Sequence, residues 1–311
     1  MAKKGFFWRV FLHNVSAASD ERGILSRLEL QRPSTAVLYF LMFGLLALLT
    51  LTMIFPLYWM FSASLKSSVE ISQMPPTLFP EQAQWSNFVT AWQHLNYSRY
   101  FVNTVLLAAG AVLLQLLVSA TAAFSLSKLK PAFQGVLMFF FLTTLMVPST
   151  AYLIPQYLTV VKLPLLGFGI LDTWWAVLLP GAVSAFNIFV LKSFFDEIPA
   201  ELTDAAKIDG ANSLTVFLRL VLPLSMSALA VIVIFTVIGS WKDFFWPFLV
   251  LSTASNQPIM VALFRLTNQS VGEPMNLVIA GLSIASIPPI ILFLIFQKQI
   301  LKGITLSGIK G

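Results

Sequence analysis

Few side chains in this sequence could carry out catalysis or bind a metal ion. Cysteine is absent, and the two histidines, His13 and His94, lie in separate polar segments. Thiol nucleophiles, iron–sulfur clusters and thiolate zinc sites are therefore excluded, and a histidine metal cluster is not expected. The sequence also lacks a Gly-x-x-x-x-Gly-Lys-Ser/Thr phosphate loop, so it cannot itself cradle ATP. We predict a chain that is not an enzyme and has no catalytic residue, metal site or cofactor of its own.

One group of residues has types that suit a polar ligand. Trp241, Asp243 and Phe244 stand beside Lys242 in an otherwise apolar stretch. Aromatic faces and a carboxylate that accepts hydrogen bonds from hydroxyls suit a hydroxyl-rich ligand, so these three residues are candidates for lining a substrate pathway. The alternative is that Lys242 and Asp243 lie at the outer end of a membrane span, where charged side chains reach the interface. Adjacent residues of a helix do not face each other, so a salt bridge between the two is not expected.

The composition is that of a membrane protein. Of the 311 residues, 58% are hydrophobic and 10% are charged, and the mean hydropathy is +0.84. Charged residues make up about 25% of an ordinary soluble domain. The net charge of +6 is scattered between long apolar runs instead of being gathered on one face, so nucleic-acid binding is not expected.

Charge-free stretches long enough for a membrane helix define six predicted spans. They lie near residues 37–61, 103–124, 133–156, 173–194, 224–251 and 277–297. The fifth stretch could instead be a hairpin that turns at Lys242 and Asp243. The polar residues 252–258 form a better loop, so one helix is predicted there. The predicted fold class is therefore all-α, a polytopic bundle of six transmembrane helices.

The distribution of lysine and arginine orients the bundle, because these residues are retained on the cytoplasmic side. Most of the 19 lie on one side of the predicted spans. They are Lys3, Lys4, Arg9, Arg22, Arg27, Arg32, Lys128, Lys130, Lys192, Lys207, Arg219, Lys298, Lys302 and Lys310. Both termini are therefore predicted to be cytoplasmic.

This topology divides the chain into four parts. Residues 1–32 form a cytoplasmic segment without a signal-peptide apolar region, either an amphipathic helix on the inner leaflet or a frayed basic tail. Residues 33–100 contain the first span and an external loop whose aromatic residues either lie at the membrane interface or form a docking surface. Residues 101–297 are the core with five spans, and residues 298–311 are a cytoplasmic tail.

The loop of residues 196–223, between spans four and five, carries the most specific signal. Pro199 suits a first helical turn, Glu201 and Asp204 favour a helix N-terminus, and Gly210 is a helix stop. Ser213 can cap a second short helix. We predict two short helices joined by a glycine turn, which either dock a partner or pack beneath their own bundle. The charged residues of this loop are mainly acidic, so a DNA-binding helix-turn-helix is not expected.

This loop resembles the cytoplasmic signature of the membrane subunits of binding-protein-dependent ABC importers. That signature is Glu-Ala-Ala, three residues, Gly, nine residues, Ile, one residue and Leu-Pro. The corresponding residues here are Asp204, Ala205, Ala206, Gly210, Leu220, Leu222 and Pro223. Aspartate replaces glutamate and leucine replaces isoleucine, and both changes are conservative.

The resemblance narrows to carbohydrate importers, and within them to the second, maltose-transporter-type permease. The residues that carry it are 205–211, 235–247 and the terminus 303–311. Lys242 replaces an asparagine that many relatives have. The resemblance implies a type I ABC importer permease fold in a bacterial or archaeal plasma membrane, working by alternating access. It implies a heterodimer with a second permease, two ATPase subunits or domains that bind ATP and Mg, and an external sugar-binding protein.

The resemblance also assigns roles to residues. ATPase coupling falls to Glu201, Asp204, Ala205, Ala206, Asp209, Gly210, Leu220 and Pro223. The tail residues Thr305, Gly308 and Lys310 either contact the ATPase dimer or belong to a disordered end. The external loop of residues 252–273 either contacts the binding protein or is a solvated connection.

Two other functional classes can be weighed. An ion-coupled secondary transporter requires paired acids within the spans, and Asp243 is the only candidate in the predicted spans. It would also leave the signature of loop 196–223 unexplained. An intramembrane enzyme requires a nucleophile and base or a metal constellation, and neither is visible.

Overall fold

The computed structural model describes residues 33–94, 96–164, 166–269 and 274–308. Within these residues the chain is helical and contains no β-strand, which confirms the all-α prediction. The chain divides into two compact units, Met1–Trp59 and Met60–Gly311. The helices are α1 (Pro33–Ser64), α2 (Ser68–Ile71), α3 (Ser86–His94), α4 (Tyr97–Phe124), α5 (Gln134–Thr144), α6 (Ser149–Val161), α7 (Trp175–Gly181), α8 (Ala185–Asp196), α9 (Ala200–Ile208), α10 (Ser213–Val216), α11 (Leu222–Leu224), α12 (Met226–Lys242), α13 (Phe245–Val250), α14 (Ile259–Gln269) and α15 (Met275–Gly308).

Shorter helical elements complete the set. A π-helical turn, Ser125–Leu129, continues α4, and a second one, Phe217–Val221, joins α10 to α11. A 3₁₀ turn, Ala254–Asn256, precedes α14. The predicted N-terminal segment 1–32 lies outside the described residues.

Three segments are long and apolar enough to cross a membrane as single helices. They are Val37–Ser64, Tyr97–Leu129 and Met275–Gln297. Three pairs of helices are long and apolar enough only when taken together, and each pair is bent at a short break. They are α5 with α6 at 101°, α7 with α8 at 46°, and Ser213–Leu224 with α12 at 78°. If each bent pair is one span, the described residues contain up to six, the number predicted.

The prediction that spans three and four are single helices is wrong. The third breaks before Pro148, which precedes α6. A residue before proline is disfavoured in the helical conformation, so α5 does not continue through Val147. The fourth breaks at Ser184, whose extended backbone and hydroxyl cap α8; Ser184 Oγ accepts a hydrogen bond of 3.3 Å from Asn187 N.

The fifth predicted span is also interrupted. α12 ends at Lys242, Asp243 is extended (φ −70°, ψ 120°), and α13 follows from Phe245 to Val250. A helix running through this point would bring the ring of Pro247 against the carbonyl of Asp243, and proline has no N–H to bond with it. α13 has only 6 residues, too short for a second crossing, so the hairpin alternative is not found.

The last helix is longer than predicted. The sixth span was expected to end near Gln297, whereas α15 continues to Gly308. Residues 298–308 contain no proline, so no residue type there forces the helix to end where the apolar stretch does.

The ends of the helices meet in two groups, as the predicted topology requires. At one end, Phe124 of α4, Phe195 of α8 and Phe217 of the second π turn belong to one buried apolar cluster, with Phe124 and Phe217 ring centroids 5.0 Å apart. At the other end, Asn103 Nδ2 donates to Ser255 O at 2.8 Å and to Gln257 O at 2.9 Å. The end of α4 thus lies with the end of α8, while its beginning lies with the 3₁₀ turn.

The external loop 62–100 is held by buried polar side chains. Asn87 Nδ2 donates to Ser64 O and Lys66 O, both at 2.9 Å. Asn276 Nδ2, from the start of α15, donates to Asn87 Oδ1 at 3.0 Å, and Ser68 Oγ donates to Asn276 Oδ1 at 2.6 Å. The loop is therefore tied to the beginning of the last helix. The two interpretations of its aromatic residues, that they lie at the membrane interface or that they form a docking surface, both stay predictions.

Candidate functional site

The first part of the candidate site is the helix α9 and the turn that ends it. α9 follows Pro199, and its first turn contains Glu201. At its other end Gly210 has φ +85°, a conformation that glycine adopts without strain. Ala211 N donates to Ala206 O at 2.9 Å and Gly210 N to Lys207 O at 3.0 Å. These two bonds form the Schellman motif that ends a helix in a fixed direction.

α9 has one face toward its own bundle and one toward solvent. Thr203 is buried, and Ala206 packs against the apolar cluster of Phe195 and Phe217. Glu201, Asp204 and Ala205 are exposed, as is Ile208, so positions i, i+3, i+4 and i+7 form an exposed stripe. Ala205 and Ala206, which were predicted together, therefore lie on different faces. Asp209 and Gly210 are exposed beyond the stripe.

Sequence reasoning missed the apolar part of this exposed surface. Ile208 is 87% exposed, and Leu202 and Leu214 are exposed on the same loop. Large apolar side chains exposed beside carboxylates are typical of a surface that binds another protein. The available signal was the helical spacing of Ile208, four residues after Asp204 and three after Ala205. Asp204 itself pairs with Lys207 at 3.0 Å.

The second helical piece of loop 196–223 begins as predicted but with a different cap. Asn212, not Ser213, is the N-cap: its Oδ1 accepts from Thr215 N at 2.8 Å. Leu220 is half-buried against the apolar cluster, whereas Pro223 is exposed in α11. The eight predicted coupling residues are thus in one loop, but Ala206 and Leu220 support its packing and the others face outward.

The beginning of the loop is fixed to the helix bundle by polar contacts. Ser127 Oγ donates to Asp196 Oδ1 at 2.7 Å, and Lys192 Nζ donates to Asp196 Oδ2 at 2.6 Å. Lys128 Nζ donates to Ile198 O at 2.7 Å. The π turn after α4 therefore holds both the last residue of α8 and the residue before Pro199.

The second part of the candidate site is a cavity of about 300 Å³ between α4, α7, α8 and α12. This volume is at the lower end of the range for small-molecule sites, about 300–1,000 Å³. Its lining combines apolar, amide, hydroxyl and carboxylate groups: Leu107, Ala111, Gln115, Val177, Leu178, Gly181, Ser184, Asn187, Phe235, Thr236, Gly239, Ser240, Asp243, Pro247 and Pro258.

A hydrogen-bonded group forms the polar wall of this cavity. Gln115 Oε1 accepts from Asn187 Nδ2 at 2.9 Å and from Thr236 Oγ1 at 2.8 Å. Gln115 Nε2 donates to Gly181 O at 2.9 Å. Three helices and the end of α7 are thereby joined around one amide, which sets the relative position of α4, α8 and α12 at the cavity.

The three residues proposed for a substrate pathway are not together in the structure. Asp243 lines the cavity, but Trp241 and Phe244 do not. Trp241 is buried, donates its indole N–H to Ala285 O at 3.0 Å, and packs edge-on against Phe101. Phe244 stacks on Phe264 with ring centroids 5.1 Å apart. Both aromatics pack against other residues of the chain, and their assignment to a substrate pathway stays a prediction.

Gln115, Asn187 and Thr236 were missed in the sequence. Each is a polar side chain inside a predicted span, and intramembrane polar groups commonly line a cavity or bond to one another. That signal existed, but hydroxyl and amide residues are frequent enough in spans that it did not single out these three.

The remaining predicted positions are at the C-terminus. Thr305 and Gly308 belong to the last turns of α15, and Lys310 lies outside the described residues. In the part of the chain that the structure describes, no three histidine, aspartate or glutamate residues come together as metal ligands.

Comparison with known proteins gives consistent matches. The family described as the binding-protein-dependent transport system inner membrane component matches residues 115–305. The probable ABC transporter permease protein YurM of Bacillus subtilis is 31% identical over 283 residues, covering 89% of each chain. The arabinooligosaccharides transport system permease protein AraQ of Halalkalibacterium halodurans is 29% identical, covering 91% of this chain and 100% of that protein.

A solved structure has the same fold. It is that of a bacterial ABC transporter involved in the import of the acidic polysaccharide alginate. The TM-score is 0.78 at 25% sequence identity, and the match covers 89% of this chain and 99% of the other.

Proposed function

The chain belongs to the inner membrane components of binding-protein-dependent transport systems, and from this we propose that it moves a carbohydrate, in particular an oligosaccharide, into the cytoplasm. It is a multi-pass permease subunit of an ABC importer and not an enzyme. The transport of arabinooligosaccharides by a relative 29% identical to it supports the substrate class. The main structural support for this mechanism is that α9 presents an exposed stripe of residues on a loop that is fixed to the helix bundle.

The proposal requires energy from another subunit. Because this sequence has no phosphate loop, ATP and Mg are to be bound by two ATPase subunits or domains. The stripe Glu201, Asp204, Ala205 and Ile208 is the surface we assign to ATPase docking. Ile208 supplies an apolar anchor, and the small Ala205 permits close approach of the partner's backbone.

Movement of the ATPase would reach the cavity through defined contacts. A displacement of α9 is passed to α8 and α4 through Asp196, Ser127 and Lys128. α4 also carries Gln115, whose amide joins the helices that line the cavity. Packed elements shift between discrete arrangements, so this path can convert nucleotide-driven closure into alternating access.

The family description implies a binding protein outside the membrane, and we expect a second permease beside this chain. We assign contact with the binding protein to residues 252–269, which comprise the 3₁₀ turn and α14 and are tied to α4 through Asn103. The helical end with Thr305 and Gly308 extends from the last span on the side of loop 196–223 in the proposed topology, and we assign it to the ATPase.

The experiment is co-purification of the tagged chain in mild detergent, with Ile208→Asp and Ile208→Val compared. Ile208 is 87% exposed, so neither change should alter the thermal stability of the permease itself. We expect Ile208→Asp to lose the ATPase and uptake of labelled oligosaccharide, while Ile208→Val keeps both. An Ile208→Asp chain that recovers the ATPase at the wild-type ratio overturns the docking assignment. A wild-type chain that purifies alone and transports under an ion gradient overturns the ABC mechanism.

A further inference from the structure

We propose that the cavity accepts an uncharged, hydroxyl-rich ligand and rejects uronic acid and phosphorylated ligands, with Asp243 as the residue that sets this selectivity. The inference rests on the proposed function, because it concerns the substrate class of the same pathway. It goes further by dividing carbohydrates according to charge.

The first observation behind this selectivity is the charge of the cavity lining. Asp243 is the one ionisable side chain among its described lining residues, and no lysine or arginine lines it. The other polar groups are the neutral side chains of Gln115, Ser184, Asn187, Thr236 and Ser240. A site built for carboxylates or phosphates normally presents arginine or lysine. This cavity presents the opposite sign.

Three basic residues lie near the lining residues in the sequence, but they do not change the charge of the cavity. Lys242 precedes Asp243 but is exposed and does not line the cavity. Arg265 of α14 lies over the ring of Phe248, with its guanidinium carbon 5.4 Å from the ring centroid. Arg99 donates through Nε to Ser255 O at 3.3 Å. None of these three basic residues lines the cavity.

The second basis for this selectivity is the ability of the ligand to donate and accept hydrogen bonds. A sugar hydroxyl both donates and accepts, so it can donate to the Asp243 carboxylate and also bond to the amides and hydroxyls of the opposite wall. The charged carboxylate or phosphate group of an acidic sugar only accepts hydrogen bonds when fully ionised, so that group has no proton to offer Asp243. It would meet like charge across a partly water-excluded space, where repulsion is stronger than in bulk water.

Gln115 limits how the cavity could adapt to an acidic ligand. Its Oε1 is held by Asn187 and Thr236, and its Nε2 by the carbonyl of Gly181. Turning the amide to offer more donors breaks these bonds, which join three helices. The neutral selectivity is therefore a property of the fold around Asp243.

The experiment is equilibrium binding to the purified complex of this permease with its partner subunits, without the binding protein. The neutral probes are labelled maltotriose, cellotriose and arabinotriose, and the acidic probes are labelled trigalacturonate and trimannuronate. We expect at least one neutral probe to bind about tenfold or more tightly than either acidic probe, given like-charge repulsion at contact distance.

The variants are Asp243→Asn and, as a matched control, Asp172→Asn, an acid of the external loops that does not line the cavity. Asp243→Asn should narrow the ratio between neutral and acidic affinities about tenfold or more. Asp172→Asn should leave the ratio unchanged. Ser240→Lys places a base in the same lining and should raise the affinity of the acidic probes, so a poorly folded Asp243→Asn protein does not end the test.

The outcomes separate the two proposals. Acidic probes that bind the wild-type complex as tightly as neutral ones overturn the selectivity and leave carbohydrate transport standing. Equal loss of both probe classes in Asp243→Asn, with an unchanged ratio, shows a structural role and overturns the assignment of Asp243. If no probe of either class binds the complex or stimulates its ATP hydrolysis with the binding protein restored, the proposed carbohydrate function fails.

Discussion

Ser127 Oγ donates a hydrogen bond of 2.7 Å to Asp196 Oδ1, which joins the π turn after α4 to the last residue of α8. α4 is shared by both parts of the candidate site, because its middle lines the cavity at Gln115 and its end holds loop 196–223. A hydrogen bond to an ionised carboxylate is stronger than one between neutral groups. The bond is therefore placed to carry movement of the loop into the helix that lines the cavity.

Removing the bond between Ser127 and Asp196 should weaken the coupling of ATP hydrolysis to transport more than it weakens assembly with the ATPase. Ser127→Ala leaves one Asp196 oxygen without its partner in a part-buried position, at a cost of about 1.5–3 kcal/mol to local stability. The α9 stripe is untouched, so the ATPase should still co-purify. We expect the number of substrates transported per ATP to fall several-fold, measured in proteoliposomes with the binding protein.

The control for this change is Ser193→Ala. Ser193 Oγ donates to Phe189 O at 3.0 Å within an exposed turn of α8, so its loss should leave coupling unchanged. Equal coupling in Ser127→Ala and Ser193→Ala would show that the Ser127–Asp196 bond does not carry the coupling.

The helix cap in loop 196–223 gives a second prediction. Asn212→Ala removes the acceptor for Thr215 N and should destabilise the second helix by about 1 kcal/mol. Ser213→Ala, the neighbouring change, should cost much less because Ser213 is already inside α10. Hydrogen-exchange protection of the amides of residues 213–216 is the measurement. A larger loss in Ser213→Ala than in Asn212→Ala would place the cap one residue later.

This cap illustrates what local sequence can and cannot determine. Gly210 was predictable as a helix stop because few residues other than glycine adopt φ +85° readily. Asn212 and Ser213 are both good caps and stand side by side, so residue type does not distinguish them. The choice is made by the backbone, which is extended at Asn212 with ψ 166° and helical from Ser213 onward.

The cavity was less predictable than the loop. Gln115, Asn187 and Thr236 come from three helices, and their meeting depends on tertiary packing that no local pattern contains. Asp243 was found because a lone acid in an apolar stretch needs an explanation. Trp241 was grouped with it by proximity in sequence, but the helix ends between them and turns the two side chains to different surroundings.

A third prediction concerns pH at the external loops. Thr253 Oγ1 donates to Asp172 Oδ2, and Thr253 N donates to Asp172 Oδ1 at 2.9 Å. The hydroxyl of Thr253, followed by its N–H, holds the pKa of the Asp172 carboxyl below its usual value. The stabilisation is therefore present above the unfolded pKa, about 3.9, and is lost as pH falls through the lower folded value. Because Asp172 is only partly buried, the effect should be small and local.

The measurement is the protection factor of the Thr253 amide, corrected for intrinsic exchange at each pH. It should be constant from neutral pH to about pH 4 and fall below that, and Asp172→Asn should remove the pH dependence. A transition centred near neutral pH would assign the effect to a different group.

The last prediction tests the packing of α15 against the start of α4. A Cβ at Gly281 would lie 2.0 Å from Tyr97 Oη and 2.8 Å from Tyr97 Cζ. Tyr97 is 2% exposed, so its ring has little room to move, and Gly281→Ala should cost about 1–3 kcal/mol through overpacking. The thermal stability of the purified protein is the measurement.

Two further variants make this prediction specific. Tyr97 Oη has no hydrogen-bond partner among the described residues, so Tyr97→Phe removes the nearest atom without breaking a bond. It should restore part of the stability lost in Gly281→Ala, and only part, because the ring carbon stays close. Gly135→Ala meets no atom within 4 Å and should be neutral or stabilising, since alanine favours a helix by about 1 kcal/mol. Additive effects of Gly281→Ala and Tyr97→Phe would mean that the two residues are not in contact, because only neighbours show such coupling.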